Sequence, residues 1–208
     1  IEECEGDRMT NHDAQWHAAR RLGIGGSDAT TIMKGEWRQL WHVKTGRLAD
    51  SDLSAVLPVQ IGIYTEPLNR LWFEREAGFA ISHDDCEHCV HPVHAFMRAN
   101  LDGRVLPDSI FEAKHVSDRY KLDEITSRYF WQLQHCMAVA GTVGCYLSVF
   151  FGNSRWEYAS VPRDEAAIAD LVAKEREFWG YVERDQEPED QTVETVKVEV
   201  AALRTVDM

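Results

Sequence analysis

Two short segments carry the residues best suited to chemistry: Leu101-Asp102-Gly103, and Phe111-Glu112-Ala113-Lys114. Together they spell Asp-x9-Glu-x-Lys. In a strand, side chains alternate between faces, so Glu112 and Lys114 share one face with Ile110, while Phe111 and Ala113 point to the other, into the core. Two carboxylates beside one ammonium suit phosphodiester hydrolysis. Carboxylates hold Mg²⁺, which prefers hard oxygen ligands, and the cation neutralises phosphate and activates water. The lysine orients the nucleophile or stabilises charge that gathers in the transition state. Asp102 is placed to bridge a pair of ions, an arrangement common in nucleases, and the Ala113 carbonyl is a further candidate ligand. Each half also has an ordinary reading: Asp-Gly is a common turn pair, and Glu-x-Lys in a strand is often a surface charge pair. The rest of the chain has to decide.

The elements that must position these residues are legible in outline. A short helix is expected over residues 13–21, capped by Asp13. Gly23 to Gly26 form a turn, and Ser27 is read as the N-cap of a helix through Ala29 to Met33. Ala55 to Ala77 follow a long helical pattern limited by Pro58 and Pro67 and closed by Gly78. Residues 80–115 change character: Phe79–Ser82, Cys89–His91, Phe96–Asn100, Gly103–Leu106 and Ile110–His115 read as short strands. Ser127–Ala140 is helix, ended by Gly141. Val143–Phe151 and Trp156–Val161 are strands joined at Gly152-Asn153, a hairpin signal. Asp164–Glu183 is a long helix. This order predicts an α/β (mixed α+β) fold: a central mixed β-sheet flanked by helices. Residues 1–185 are expected to form one domain, followed by an acidic tail over 186–208.

Composition narrows the classes. The chain has 208 residues, 44% of them hydrophobic, which suits one domain with a sizeable core. It lacks any run of about eighteen apolar residues, so no helical membrane span is expected. The polar, acidic opening from Ile1 to Arg8 has no cationic segment leading into an apolar run, so no secretory signal is expected. Cys4, Cys86, Cys89, Cys136 and Cys145 are odd in number and scattered, which argues for reduced thiols and a cytoplasmic location. The net charge of −13 speaks against a protein coated in nucleic-acid-binding charge, but not against a carboxylate-rich metal site.

Further segments surround the acidic core in a set order. Trp16-His17 leads to Arg21-Leu22-Gly23-Ile24-Gly25-Gly26-Ser27-Asp28; then come Leu40-Trp41-His42-Val43-Lys44-Thr45-Gly46 and Gly62-Ile63-Tyr64-Thr65-Glu66. Tyr129-Phe130-Trp131-Gln132-Leu133-Gln134-His135-Cys136-Met137 follows the Asp-x9-Glu-x-Lys core. Over about residues 13 to 182 this pattern resembles the phage alkaline exonucleases, the YqaJ-like viral recombinases of the PD-(D/E)xK nuclease superfamily.

The resemblance implies a restriction-endonuclease-like core and a Mg²⁺-dependent 5′→3′ exonuclease, with Mn²⁺ as a plausible substitute and two ions per site. It implies degradation of the 5′-ended strand of linear double-stranded DNA to mononucleotides, a homotrimeric ring around the DNA, and a single-strand annealing protein as partner in phage or prophage recombination. Carried over residue by residue, Asp102 and Glu112 match the metal-binding acids and Lys114 the catalytic lysine. Glu66 matches the helical glutamate that supports the metal or its water. Gln132 and Tyr129 match the glutamine and tyrosine of the following helix. Arg21 and Ser27 match the pair that holds the terminal 5′-phosphate, which suits a helix start with free N–H groups and a bidentate guanidinium. Two departures stand out: the family's Pro-Asp is Leu101-Asp102 here, and Asn100 stands where a phosphate-binding serine is found. Gln132 and Gln134 lie on different helix faces, so one is expected to be functional and the other structural.

Two alternatives remain from the residues themselves. One is an endonuclease or structure-specific nuclease of the same fold. The other is a zinc-stapled, non-catalytic interaction module built on His83, Cys86, Cys89, His91 and His94, since Cys-x2-Cys with nearby histidines is compatible with structural zinc. The aromatic residues Phe130, Trp131, Phe150, Phe151, Phe178 and Trp179 are read as core or subunit interface.

Overall fold

The computed structural model describes residues 20–86 and 88–192. The expected Asp13-capped helix start and the tail beyond residue 192 fall outside them. Five helices and seven strands are described: α1 (Gly26–Met33), α2 (Trp37–Lys44), α3 (Leu57–Ala77), β1 (Ile81–Ser82), β2 (Cys89–Val90), β3 (Arg98–Ala99), β4 (Gly103–Val105), β5 (Ser109–Val116), α4 (Leu122–Ala140), β6 (Gly144–Phe151), β7 (Arg155–Pro162) and α5 (Glu165–Glu183).

The main sheet runs β1-β4-β5-β6-β7, and β2 pairs with β3 apart from it. Only β5 and β6 are parallel within the main sheet; its other neighbours are antiparallel. A parallel pair needs a crossover, and α4 supplies it. The sheet is therefore mixed and flanked by helices, as the order of elements predicts.

The two faces of β5 go to two cores, set by the strand's period of two. Ile110 joins Leu133 and Met137 of α4 and Cys145, Leu147 and Val149 of β6. Phe111 joins Phe73 of α3, Val105 and Trp156, with Ala113 against them. Glu112 and Lys114 therefore share one face, as parity predicts; α4 covers that face, so it is core as well as the Phe111 face. A third cluster, built from Ile24, Ile32, Trp37, Trp41 and Phe178, ties α1 and α2 to α5.

Several boundaries differ from the sequence reading, each for a local reason. Helix α4 begins at Leu122 rather than Ser127, because Glu124 accepts the Lys121 N–H at 2.8 Å and completes an N-terminal cap. Helix α2 was not anticipated, although Trp37, Leu40, Trp41 and Lys44, all buried, have the helical spacing i, i+3, i+4, i+7. Ser27 is not an N-cap: α1 starts at Gly26, and Asp28 caps it by accepting the Gly25 N–H at 2.8 Å. Gly26 is required by close approach, since a Cβ there would lie 3.0 Å from both Cys136 Sγ and Gln132 Cγ of α4. No helix among the described residues is long and apolar enough to cross a membrane.

Candidate active site

Strand β5 presents Glu112, 3% exposed, and Lys114 toward α4. One Glu112 oxygen, Oε1, receives two donors: the Lys114 ammonium, and the Gln132 side-chain amide at 2.7 Å. Lys114 also lies over the Tyr129 ring, 4.9 Å from its centroid. Asp102 sits in the turn before β4, where its Oδ2 accepts the Ala113 N–H at 2.9 Å. The segment after Asp102 lies against β1: a Cβ on Gly103 would come within 2.4 Å of Ile81 Cγ2. Asp102, Glu112, Lys114, Gln132 and Tyr129 thus converge from a turn, a strand and a helix.

Glu66 of α3 faces the same region through Arg70. The Arg70 guanidinium donates to Glu66 Oε1 at 2.6 Å and to the Asp102 carbonyl at 3.1 Å. Helix α3 is held on the sheet by Asn69, 1% exposed, whose amide donates to the carbonyls of Lys114 and Ser148, both at 3.2 Å. Neither Arg70 nor Asn69 was singled out from sequence. The signal for Arg70 was its position four residues after Glu66, the spacing of a helical ion pair.

Burial and the charges of Asp102 and Glu66 push the Glu112 carboxyl up to about 7, although Lys114 opposes them. Burial, and then the Asp102 charge, also raise Glu66. Burial works against charge on Lys114, but Glu112 and Asp102 outweigh it and hold the ammonium above its ordinary range. The carboxylates are thus short of compensating positive charge even with Lys114 in place. A divalent cation fits that deficit. Among the described residues no hydrogen bond reaches Asp102 Oδ1 or Glu112 Oε2, so each acid keeps an oxygen for a ligand. No trio of His, Cys, Asp and Glu among these residues forms a ready cage, so the two acids by themselves do not complete a coordination shell.

A cleft of about 290 Å³ adjoins Gln132 and is lined by Arg20, Ser27, His88, Arg98 and Asn100 among others. Arg20, not Arg21, donates to Ser27 Oγ, at 3.3 Å. Arg20 also pairs with Asp28, so it is part of a network. Arg21 is exposed and lines a neighbouring cleft of about 250 Å³. Asn100 accepts the His88 N–H on Oδ1 at 2.8 Å, which leaves its amide nitrogen as the donor toward the cleft. In the neighbouring cleft, Lys44, largely buried, reaches Asp28 at 2.5 Å and the Arg20 carbonyl at 2.9 Å. The two glutamines face different partners: Gln132 bonds Glu112, while Gln134 is fully buried and bonds Pro162 and Asp164, tying α4 to the β7–α5 junction.

Among residues 83–94, Cys86, Cys89, His91 and His94 have partners within the protein, and no group of three or more His, Cys, Asp or Glu among the described residues is arranged to hold a metal. The Cys86 thiol faces the Ser82 and Asp84 carbonyls, and Cys89 faces that of Asp85. His91 Nδ1 accepts the N–H groups of Val93 and His94, while its ring stacks on His94. These contacts give the zinc-stapled reading no support.

Comparison with known proteins adds an independent line. The model of the YqaJ-like viral recombinase domain matches residues 15–143. Over 176 residues the chain is 30% identical to the uncharacterized protein YqaJ of Bacillus subtilis; the match covers 79% of this chain and 54% of that protein. The chain thus spans about half the length of this curated relative. Among solved structures it is similar to the alkaline exonuclease LHK-Exo from Laribacter hongkongensis, with a TM-score of 0.68 and 20% identity over 83% of this chain and 94% of that one. It is also similar to a phage-related exonuclease from Haemophilus somnus 129PT, with a TM-score of 0.63 and 13% identity over 81% of this chain and 96% of that one. At these identities the likeness shows a shared fold.

Proposed function

The chain belongs to the YqaJ-like viral recombinase family, and from that premise we propose that it is a Mg²⁺-dependent exonuclease that degrades the 5′-ended strand of linear double-stranded DNA. The observation that carries this reading is the convergence of Lys114 and Gln132 on Glu112 Oε1 beside an Asp102 locked to the Ala113 N–H. It is a phosphoryl-transfer arrangement: acids to hold a cation, and a fixed ammonium to meet developing charge. One of the similar structures is an alkaline exonuclease bound to dAMP, which favours a nucleotide product at this fold.

Asp102, Glu112 and the Ala113 carbonyl would hold Mg²⁺, or Mn²⁺ in its place, with Glu66 supporting through water; two ions per site are part of the proposal. The bound cation supplies charge neutralisation and water activation. Lys114 is held protonated by Glu112 and Asp102, so it acts as a cation and N–H donor toward the phosphoryl oxygens rather than as a base. Gln132 fixes the orientation of Glu112, and the Tyr129 ring backs the ammonium. The terminal 5′-phosphate sits at Ser27, in the first turn of α1, where helix N–H groups are free. Arg20 is the nearer cation there, Asn100 lines the same cleft, and Arg21 lines the adjoining one.

Residues 1–185 are taken as one nuclease domain, and the setting as the cytoplasm of a phage- or prophage-bearing bacterium. A homotrimeric ring and a single-strand annealing partner complete the proposal. Leu57, Ile61, Tyr64, Leu68 and Leu71 form an exposed apolar stripe along α3, which favours a subunit contact.

Linear duplex DNA with a 5′-phosphate on one end and a 5′-hydroxyl on the other tests this reading. Mg²⁺-dependent loss of one strand from the phosphorylated end, abolished by Lys114→Ala, is expected. Cleavage of closed circles would move the assignment to an endonuclease. No digestion by the wild type would overturn it.

A further inference from the structure

A fully buried charged pair lies one helical turn from Gln132 and takes no part in the chemistry above. His135 of α4 and Glu175 of α5 are both 0% exposed. His135 Nδ1 and Glu175 Oε1 are 2.7 Å apart, and His135 Nε2 is 2.9 Å from the Arg98 carbonyl of β3. A carbonyl only accepts, so Nε2 must carry a proton. One further proton is shared between Nδ1 and Oε1. The imidazole therefore joins α4, α5 and β3 through two bonds that a neutral ring facing an ionised carboxylate cannot both make.

The pair is a poor source of stability. Burying two ionisable groups costs roughly what their attraction returns. Glu175 Oε2 and Arg98 Nε are also buried with no hydrogen-bond partner among the described residues, which adds a penalty. What the pair does supply is geometry. Gln132 and His135 are three residues apart on α4, so fixing the His135 ring fixes the helix rotation that aims Gln132 at Glu112. The Arg98 carbonyl lies two residues before Asn100 and four before Asp102. The same two bonds therefore set the strand that leads into the catalytic turn.

We propose that His135 and Glu175 are positioning residues for the active site, locking α4 against β3 so that Gln132 stays on Glu112. Besides Glu175, the titratable groups that act on or feel His135 are Asp28 of α1 and His91 after β2; buried Cys136 is its neighbour on α4.

Glu175→Leu removes the partner of Nδ1, which a Gln there would keep by donating its amide N–H, and His135→Gln removes the ring that spans both partners; neither changes volume much. The direct readout is the Gln132 side-chain amide in an ¹⁵N-labelled protein. In both variants its NMR signals should move toward the position they take in Glu112→Ala. Folded variants with unmoved Gln132 signals would overturn the proposal. So would two variants that do not fold, because a positioning role leaves a folded chain. The second readout rests on the nuclease reading: Glu175→Leu should lower kcat about tenfold with KM for DNA ends unchanged, and should add nothing to Gln132→Ala, because both act through one bond. Additive losses would overturn it. An inactive wild type would refute the nuclease reading alone, since the NMR arm still decides the positioning role.

Discussion

The side-chain amide of Gln132 donates to Glu112 Oε1 at 2.7 Å, the same oxygen that Lys114 engages. Removing it leaves a buried carboxylate with one donor fewer and a looser rotamer. Gln132→Ala should therefore lower kcat on linear duplex DNA by about 10²-fold, the loss typical of one preorganised donor. The melting temperature should hardly change, because Gln132 is only part-buried. Single-turnover digestion and a thermal scan of the same preparation check this; wild-type kcat would remove Gln132 from the site.

Metal binding is expected to depend on Asp102 and to show as stability. Mg²⁺ at about 100 times its Kd should stabilise the folded chain by roughly 2.7 kcal/mol. Asp102→Ala should lose most of that gain, and EDTA should abolish it together with digestion. Equal Mg²⁺-dependent rises in melting temperature for wild type and Asp102→Ala would refute the assigned ligand.

Asp28 and Lys44 form a buried pair, with side chains 8% and 2% exposed. Breaking such a pair strands one charge in the interior, so Asp28→Ala should cost about 3–5 kcal/mol. Asp28→Leu combined with Lys44→Leu should cost clearly less, because no charge is left unpaired. Urea unfolding of the three chains measures the difference.

His135 ties stability to pH. Burial opposes its charge, but Glu175 and the Arg98 carbonyl prevail and raise its pKa from the ordinary 6.5. A group whose pKa rises on folding contributes fully below about 6.5, and the contribution is lost as pH climbs through the raised value. The wild-type melting temperature should thus fall toward alkaline pH more steeply than that of a His135→Leu, Glu175→Leu double variant. Parallel slopes would contradict this.

Local sequence determined a great deal here. The period of two put Glu112 and Lys114 on one face of β5, glycines ended α3 and α4, and apolar runs around the Gly152-Asn153 turn gave β6 and β7 nearly their full length. These features depend on near neighbours along the chain, so the residues themselves encode them. The ordered motifs carried the family, because several individually weak signals in one order are together specific. What the tertiary structure alone decided is which distant groups meet. Arg70 reaches Asp102 across 32 positions, Lys44 finds Asp28 across 16, and His135 finds Glu175 across 40. Arg20 rather than its neighbour Arg21 bonds Ser27 because the rotation of the chain entering α1, not residue type, aims one guanidinium at the cleft. Side-chain partners of this kind follow from how helices and strands pack, and no spacing along a single chain segment specifies them.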